Sequence, residues 1–410
     1  MKRLVKKSES IIINYIKECF ASTPLAEDFG DYIPFLAYLG EKEFCMSNLK
    51  MIEKSLNDGF YYNVHFSAKR WFGKYIFSVE YNTDLLLGLV ELYRILGFHE
   101  ALEIAKKMIN SLEKFCIKEN QIYSILIPPM KKSLPIMRGL TGVYIELLVD
   151  MYKLTLNERY LKIAESLSIG FIEMKFFKKH GLFPKSYLLK FNFLNLFWKS
   201  SKIVRIFKEN TSIINGLLAV YGETNNVKLK HAILSWAENV KEKLISDENI
   251  VYGIYDVSKD KKYEPALTFN FPIIDLFCDC YKIFKDKMYL ETSKNIADFW
   301  LQNQSRIGLF PLYPNRRETY QDTITDMIIS LFKLHECCGK KKYLNSALRA
   351  LKGMLEYHVL NISVDVFSGQ PLINKTKNKY VALLLKPVIY YSSGKKIYED
   401  ETLFKILRDR

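Results

Sequence analysis

The chain has 410 residues, of which 49% are hydrophobic and 14% aromatic, and its formal net charge is +15. Such a composition supplies enough apolar side chains for a large core and excludes a disordered chain. No stretch approaches the roughly 20 uncharged apolar residues of a transmembrane helix, and residues 1–7 are followed by no apolar stretch and cleavage site. We therefore expect a cytoplasmic protein.

The positive charge is compatible with an anionic partner such as a nucleic acid, a membrane surface or an acidic glycan. The lysines are spread along the whole chain, however, and do not form one basic cluster. Dispersed charge of this kind is weak evidence for nucleic-acid binding. We predict no nucleic-acid partner.

Seven cysteines are scattered along the chain, and their odd number favours reduced thiols. The Cys278-x-Cys280 and Cys337-Cys338 pairs lack the two-residue spacing of zinc knuckles. The sequence also lacks the glycine-rich phosphate-binding motifs and the zinc-protease motif. These patterns predict neither a metal nor a cofactor.

Apolar periodicity predicts a succession of helical hairpins along the chain. In chain order, they span approximately residues 28–57, 82–116, 138–175, 210–246, 270–303 and 320–358. Residues 359–410 are interpreted as a strand-like stretch and a final helix. No linker divides the chain, so we expect one domain over residues 1–410.

An internal repeat supports this division. Residues 84–97 and 326–339 align without a gap: each segment starts with an Asp, continues as an apolar helix and ends at a Gly. The glycines, Gly97 and Gly339, occupy the position where a helix commonly ends in a left-handed residue. The register marks Tyr93, Tyr152 and Tyr221 extend the repeat. Six similar units therefore follow one another.

The first helix of each pair is apolar around most of its circumference, as expected for an inner ring of helices. The connections between pairs contain recurring Gly, Pro and aromatic residues, as at residues 181–184 and 308–314, and are predicted to form short strands or turns on one face. An all-α (α/α)6 toroid satisfies these features. An open solenoid of stacked pairs is the structural alternative.

Over residues 28–358 the chain resembles the six-hairpin (α/α)6 glycosidase-like superfamily. The repeated Gly-Leu-Phe-Pro motif followed by a helix, and the Asp-led first helices, are the features it shares. Residues 343–351 also resemble the last hairpin of glucuronyl C5-epimerases. The resemblance implies a saccharide site where the N-termini of the inner helices converge, in a superfamily of glycoside hydrolases, polysaccharide lyases and sugar epimerases.

Four aspartates at the starts of first helices are candidate catalytic residues: Asp31, Asp84, Asp322 and Asp326. Glycoside hydrolysis uses two carboxyl groups on either side of the scissile bond, so acids from different hairpins could form the pair. Asp84 and Asp326 are the preferred pair because they occupy equivalent repeat positions. The alternative is helix capping, for which Asp is a favoured residue.

The connection before the last hairpin is rich in groups that bind sugars. Tyr313 and Tyr320 offer flat apolar faces, and Arg316 and Arg317 could grip a carboxylate or phosphate. A solvated turn with its arginines paired to neighbouring acids is the alternative. Further candidate substrate-binding residues in other connections are Trp71, Asn82, Arg138 and Asn215, each of which could instead be a cap or core residue.

Residues 187–208 mix aromatic and basic side chains without an acid. Such a stretch could make weak contact with a membrane surface or an anionic polymer. The favoured alternative is an extra amphipathic helix whose apolar face covers the helical ring.

Three functions remain open from the sequence. The leading hypothesis is a glycoside hydrolase that uses paired aspartates on a saccharide, which could carry a uronate or phosphate group. The second is a uronate C5-epimerase or polysaccharide lyase, which needs a base and a cation that stabilises the enediolate. The third is a non-catalytic glycan-binding or scaffold protein, because fold alone does not determine function.

Overall fold

The computed structural model describes residues 1–63, 77–127, 132–139, 141–190, 192–316, 319–360 and 379–408. The α-helices are α1 Lys2–Cys19, α2 Ala26–Tyr38, α3 Lys42–Ser55, α4 Val79–Leu96, α5 His99–Cys116, α6 Thr141–Thr155, α7 Glu158–Ile172, α8 Lys175–His180, α9 Thr211–Thr224, α10 Val227–Leu244, α11 Leu267–Phe284, α12 Lys287–Gln302, α13 Gln321–Cys338, α14 Lys341–Gly353, α15 Lys379–Leu383, α16 Leu385–Ser393 and α17 Glu401–Leu407.

Short antiparallel strands occupy the connections. They are β1 Leu56–Asn57, β2 Phe60–Tyr61, β3 Phe77–Ser78, β4 Ile117–Lys118, β5 Gln121–Ile122, β6 Ile125–Ile127, β7 Lys132–Leu134, β8 Ile136–Arg138, β9 Ser186–Leu188, β10 Ile203–Arg205, β11 Ile254–Asp256 and β12 Lys261–Tyr263. The strand orders are β1-β2, β4-β5, β8-β9, β3-β6-β7 and β10-β11-β12.

The chain forms two compact units. One contains Ser22–Leu244 with Ile254–Tyr263 and is called here the 22–244 unit. The other contains Met1–Ala21, Ile245–Gly253 and Glu264–Asp409 and is called the 264–409 unit. The single domain over residues 1–410 stays a prediction.

Four helix pairs build the 22–244 unit: α2 with α3, α4 with α5, α6 with α7, and α9 with α10. The first helix of each pair is buried over most of its circumference, whereas the second buries one face. Backbones of first helices approach each other closely at glycines. A Cβ atom on Gly142 of α6, for example, would overlap the backbone oxygen of Ser212 in α9.

The 264–409 unit contains two further pairs, α11 with α12 and α13 with α14, together with α1 and the C-terminal helices α15, α16 and α17. Helix α1 packs against α15 and α16, and α13 packs against α11 and α16. The described part of residues 359–410 is therefore helical. Residues 361–378 of this segment lie outside the described residues, so the predicted strand-like stretch stays a prediction.

A buried network of charged side chains links the C-terminal segment to the helix pairs of the 264–409 unit. The ammonium of Lys333 on α13 lies 2.9 Å from Oδ2 of Asp275 and 3.2 Å from Oδ2 of Asp279, both on α11. The Tyr398 hydroxyl donates to Oδ1 of Asp279 at 2.8 Å, and Nε of Arg408 lies 3.7 Å from its Oδ2. These opposite charges compensate each other where water is excluded.

The predicted helical hairpins and the short strands in their connections are confirmed. The favoured interpretation of residues 187–208 as one amphipathic helix is wrong. These residues form the end of β9, two 3₁₀ turns at Asn192–Leu196 and Lys199–Lys202, and β10. No helix among the described residues is long and apolar enough to cross a bilayer.

Candidate functional site

The N-terminal ends of three first helices meet at a charged cluster in the 22–244 unit. Glu80 lies in the first turn of α4, and its Oε1 is 3.8 Å from the ammonium of Lys208, just before α9. Its carboxylate also touches Gly139, two residues before α6, where a Cβ atom would overlap Oε2 of Glu80. Helix N-termini favour negative charge, which suits the position of Glu80.

Arg205 and Glu209 form the second part of the cluster. The guanidinium donates from Nε to Oε2 of Glu209 at 2.6 Å and from Nη2 to Oε1. The Glu209 side chain is 2% exposed and the Arg205 side chain 27% exposed. Burial raises the pKa of Glu209 above its ordinary value, although the hydrogen bonds and charge of Arg205 oppose that shift. Glu209 therefore orients Arg205, whose side chain is the more exposed of the two.

Lys208 has an unusual backbone conformation, with φ of 76° and ψ of −74°. This region corresponds to the classic γ-turn, which is rare and strained for a residue with a side chain. Asn210 holds the turn in place. Its amide donates to the backbone oxygens of Arg205 and Phe183, both at 2.8 Å, and its Oδ1 accepts from the indole of Trp236 at 3.1 Å.

We call Glu80, Arg205, Lys208 and Glu209 the Glu80–Lys208 cluster. Two of its groups can exchange protons and remain accessible, since the Glu80 side chain is 11% exposed and the Lys208 side chain 41% exposed. Arg205 adds a fixed cation that can stabilise an oxyanion. A base beside cations, on strained backbone held by buried hydrogen bonds, is an arrangement suited to proton transfer at a carbon next to a carbonyl.

Two of the predicted catalytic aspartates belong to the same unit. Asp31 on α2 and Asp84 on α4 are both half-buried. The backbone oxygen of Asp84 packs against Gly30, where a Cβ atom would overlap it. The catalytic roles of both residues stay predictions.

Three predicted substrate-binding residues also lie in this unit. Asn82 is fully buried, and its amide accepts from the backbone nitrogen of Tyr61 at 3.2 Å and donates to its oxygen at 3.1 Å. These two hydrogen bonds give Asn82 a structural role. Asn215 is 5% exposed on α9, and the backbone of Arg138 pairs with Ser186 between β8 and β9.

The other two predicted catalytic aspartates lie on α13 in the 264–409 unit. Oδ1 of Asp326 is 2.7 Å from the ammonium of Lys386 on α16, and both side chains are less than a tenth exposed. Asp322 accepts from the backbone nitrogen of Thr323 at 2.8 Å in the first turn of the helix. The N-cap residue of this helix is Tyr320, so the bond of Asp322 is not an N-cap bond.

The arginine- and tyrosine-rich connection is also in the 264–409 unit. The Tyr313 hydroxyl donates to Glu264 at 3.0 Å, and the exposed Arg316 guanidinium lies 5.8 Å from the centre of the Tyr313 ring. Tyr320, the residue before α13, is 41% exposed. The predicted residues Arg317 and Trp71 lie outside the described residues.

Sequence reasoning did not select the Glu80–Lys208 cluster. The candidate acids from the sequence were aspartates at the starts of first helices, and no glutamate was among them. A usable sign was present, since Glu209 is the first acid after Glu173 and directly precedes a first helix. The contact between Glu80 and Lys208 was not predictable in this way, because the two residues precede different hairpins.

Solved structures that are similar to this chain share its architecture. A cellobiose 2-epimerase from Bacillus thermoamylovorans is 13% identical, with a TM-score of 0.58 over 82% of this chain and 94% of that chain. A D-mannose isomerase is 12% identical, with a TM-score of 0.61 over 90% of this chain and 100% of that chain. The fold is an (α/α)6 toroid. The toroid prediction is thereby confirmed.

A third similar structure is an unsaturated glucuronyl hydrolase from Bacillus sp. GL1. It is 12% identical, with a TM-score of 0.52 over 76% of this chain and 86% of that chain. No protein-family model and no curated protein sequence matches this chain. At these identities the similarity establishes the fold, and the choice of reaction depends on the site.

Proposed function

We propose that this protein is a carbohydrate-active enzyme that moves a proton on its sugar, as an epimerase or isomerase, at the Glu80–Lys208 cluster. The observation that supports this proposal most directly is the 3.8 Å contact between the accessible Glu80 carboxylate and the Lys208 ammonium. Arg205 is fixed nearby by a two-point contact with Glu209. The cluster thus combines a base with two cations.

In the proposed reaction the Glu80 carboxylate accepts the proton from the carbon beside the sugar carbonyl. The electron pair of the broken C–H bond moves into an enediolate, whose developing negative charge the Lys208 and Arg205 cations stabilise. For epimerisation, solvent water gives a proton to the opposite face of the same carbon, and the protonated Glu80 releases its proton to solvent. For isomerisation, the Glu80 proton is returned to the neighbouring carbon, and the hydroxyl proton moves between the two oxygens of the enediolate, which gives the ketose or aldose isomer. Atoms and charge balance without a cofactor.

The similar structures agree with this choice. The epimerase and the isomerase have TM-scores of 0.58 and 0.61 and match more of this chain than the hydrolase, whose TM-score is 0.52. This difference supports the proposal only at the level of the scaffold. The substrate class is a saccharide with a free or latent carbonyl group, and a uronate would add a carboxylate for the cations to bind.

The test is hydrogen exchange in heavy water. The purified full chain is incubated in D₂O with aldoses, ketoses, cellobiose and uronates, and deuterium at carbon is measured by NMR. We expect solvent deuterium at one carbon of one sugar class. Glu80→Gln should lower the exchange rate about 100-fold or more, because general-base catalysis contributes a factor of about 10²–10⁴.

Glu223→Gln is the matched control. Glu223 is also a carboxylate of the 22–244 unit paired with a lysine, Lys153, at 2.9 Å, and is removed from the cluster in sequence. Glu223→Gln should catalyse hydrogen exchange at the wild-type rate. Full activity in Glu80→Gln would overturn the assignment of the base, and absence of exchange with every sugar would overturn the proposed reaction.

Glycoside hydrolysis is the second candidate. The close contact between the buried Asp326 carboxylate and Lys386 favours an ionised carboxylate at the N-terminal half of α13, as a nucleophile or base requires. The test measures release of the aglycone from aryl glycosides and unsaturated glucuronides. If Asp326→Asn loses this activity and Glu80→Gln retains it, the protein is a glycoside hydrolase and the proposed epimerase or isomerase reaction is wrong.

A further inference from the structure

The turn at residues 192–198 displays bulky apolar side chains to solvent. Phe193, Leu194, Leu196 and Phe197 are 63%, 39%, 68% and 83% exposed. Most large apolar side chains of this chain are buried, so four exposed within five residues form an unusual patch. Trp198 adjoins them and is half-buried.

The turn is built to hold this shape. Asn195 points inward, where its amide accepts from the backbone nitrogen of Leu188 and donates to its oxygen, each at 2.9 Å. The Ser201 hydroxyl bonds the backbone oxygens of Asn195 and Trp198 at 2.6 and 2.7 Å. Inward bonding of Asn195 leaves the apolar neighbours on either side facing outward. Their exposure is thus a consequence of ordered hydrogen bonding.

The surroundings of the patch are basic. Lys190 and Lys199 flank it and are exposed, and Lys185 on the preceding strand connection is also exposed. The sequence has no acid between Glu173 and Glu209. An apolar tip surrounded by lysines complements the interface of an anionic bilayer, where apolar groups enter the acyl boundary and lysines contact lipid headgroups.

We propose that Lys190 and residues 193–199 form a membrane-docking turn that binds the surface of an anionic lipid bilayer. Phe193, Leu196 and Phe197 insert among the lipid chains, and Lys190 and Lys199 contact the headgroups. The turn places the protein at the surface of the bilayer without crossing it. This inference is independent of the reaction proposed above, because none of these residues belongs to the Glu80–Lys208 cluster.

Vesicle sedimentation with the full chain tests the proposal. Vesicles of phosphatidylcholine alone are compared with vesicles containing 30% phosphatidylserine, so about a third of the headgroups are anionic. We expect binding to the anionic vesicles, much weaker binding to the neutral ones, and weakening by salt because headgroup attraction is screened. Absence of binding to anionic vesicles at low salt would overturn the proposal.

Two double variants separate insertion from nonspecific surface hydrophobicity. Phe193→Ser with Phe197→Ser should reduce binding at least tenfold. Leu156→Asn with Val227→Ser removes two other side chains of the same unit, 79% and 60% exposed, and should bind like the wild type. Equal loss in both double variants would contradict the assignment.

A second pair of double variants tests how the lysines contribute to the preference for anionic vesicles. Lys190→Gln with Lys199→Gln should reduce the preference for anionic over neutral vesicles, whereas Lys50→Gln with Lys241→Gln, both exposed elsewhere, should retain it. Equal preference in the two double variants would contradict the role of Lys190 and Lys199.

Comparison of the wild type with Trp198→Phe provides a direct probe of insertion, and Trp236 and Trp300 are fully buried. Brominated lipids should quench part of the tryptophan emission in the wild type and markedly less in Trp198→Phe.

Analytical ultracentrifugation compares the oligomeric state of the wild type with that of the phenylalanine double variant. If Phe193→Ser with Phe197→Ser converts a dimer to a monomer while vesicle binding persists, the patch joins two copies of the chain and the membrane proposal is wrong.

Discussion

Asn210 and Phe183 are joined by two hydrogen bonds: the Asn210 amide accepts from the Phe183 backbone nitrogen at 2.9 Å and donates to the Phe183 backbone oxygen at 2.8 Å. Asn82 bonds Tyr61 in the same way, and Asn270 bonds Val251. Each asparagine precedes a first-helix tyrosine, at 221, 93 or 281, by eleven positions. In these repeats an asparagine side chain therefore hydrogen-bonds the connection to the helix that follows it.

Asn210→Ala should destabilise the protein by about 3 kcal/mol. The substitution leaves the buried nitrogen and oxygen of Phe183 and the Trp236 indole without this partner, and each unsatisfied buried group costs about 1–3 kcal/mol. Urea unfolding gives the measurement. Asn303→Ala, which removes a half-buried bond to the Phe299 oxygen at the end of a helix, is the control and should cost about 1 kcal/mol or less.

Lys333→Met should destabilise the protein by about 3–5 kcal/mol, because it leaves the Asp275 and Asp279 carboxylates buried without their shared lysine. Lys352→Met is the matched control. Lys352 lies 3.7 Å from Glu356 on the surface, and its loss should cost less than about 1 kcal/mol. A similar midpoint of unfolding for both variants would show that the Lys333 network does not fasten the 264–409 unit.

Asp275 should contribute a loss of stability as pH rises from about 4 to about 6. Burial raises the pKa of Asp275 to about 6, although the positive charge of Lys333 opposes that shift. Between pH 4 and pH 6 the folded state therefore keeps a proton on Asp275 that the unfolded state has lost. A raised carboxylate pKa makes unfolding easier with rising pH in that window. The stability of the wild type minus that of Asp275→Asn should therefore decrease from pH 4 to pH 6. A constant difference would contradict the assignment.

Gly139→Ala should lower proton-exchange activity as well as stability. Gly139 has φ of 70°, a left-handed conformation that costs alanine about 1 kcal/mol, and an added Cβ would displace the Glu80 carboxylate. Gly97→Ala isolates the first effect, since Gly97 has φ of 71° and open space around it. Heavy-water exchange and urea unfolding are measured together. Equal loss of activity in both variants would indicate that Gly139 does not position Glu80.

The helix pairs could be predicted from the sequence because the information lies within each segment. Apolar residues at helical spacing identify which side of a helix is buried, and a glycine after the last turn marks its end. Gly97 and Gly339 are indeed left-handed, with φ of 71° and 69°. The recurrence of this pattern predicted the order and number of hairpins and favoured a closed toroid over an open solenoid.

Only the tertiary structure brought Glu80 to Lys208 and turned Phe193 and Phe197 toward solvent. Periodicity describes one helix at a time, whereas a contact between hairpins depends on how closely the helices pack, as Gly139 allows beside Glu80. Residues 187–208 illustrate the same limit. Their aromatic and basic composition was visible in the sequence, but the bonds of Asn195 to Leu188 made a turn in place of a helix and so decided which side chains water would reach.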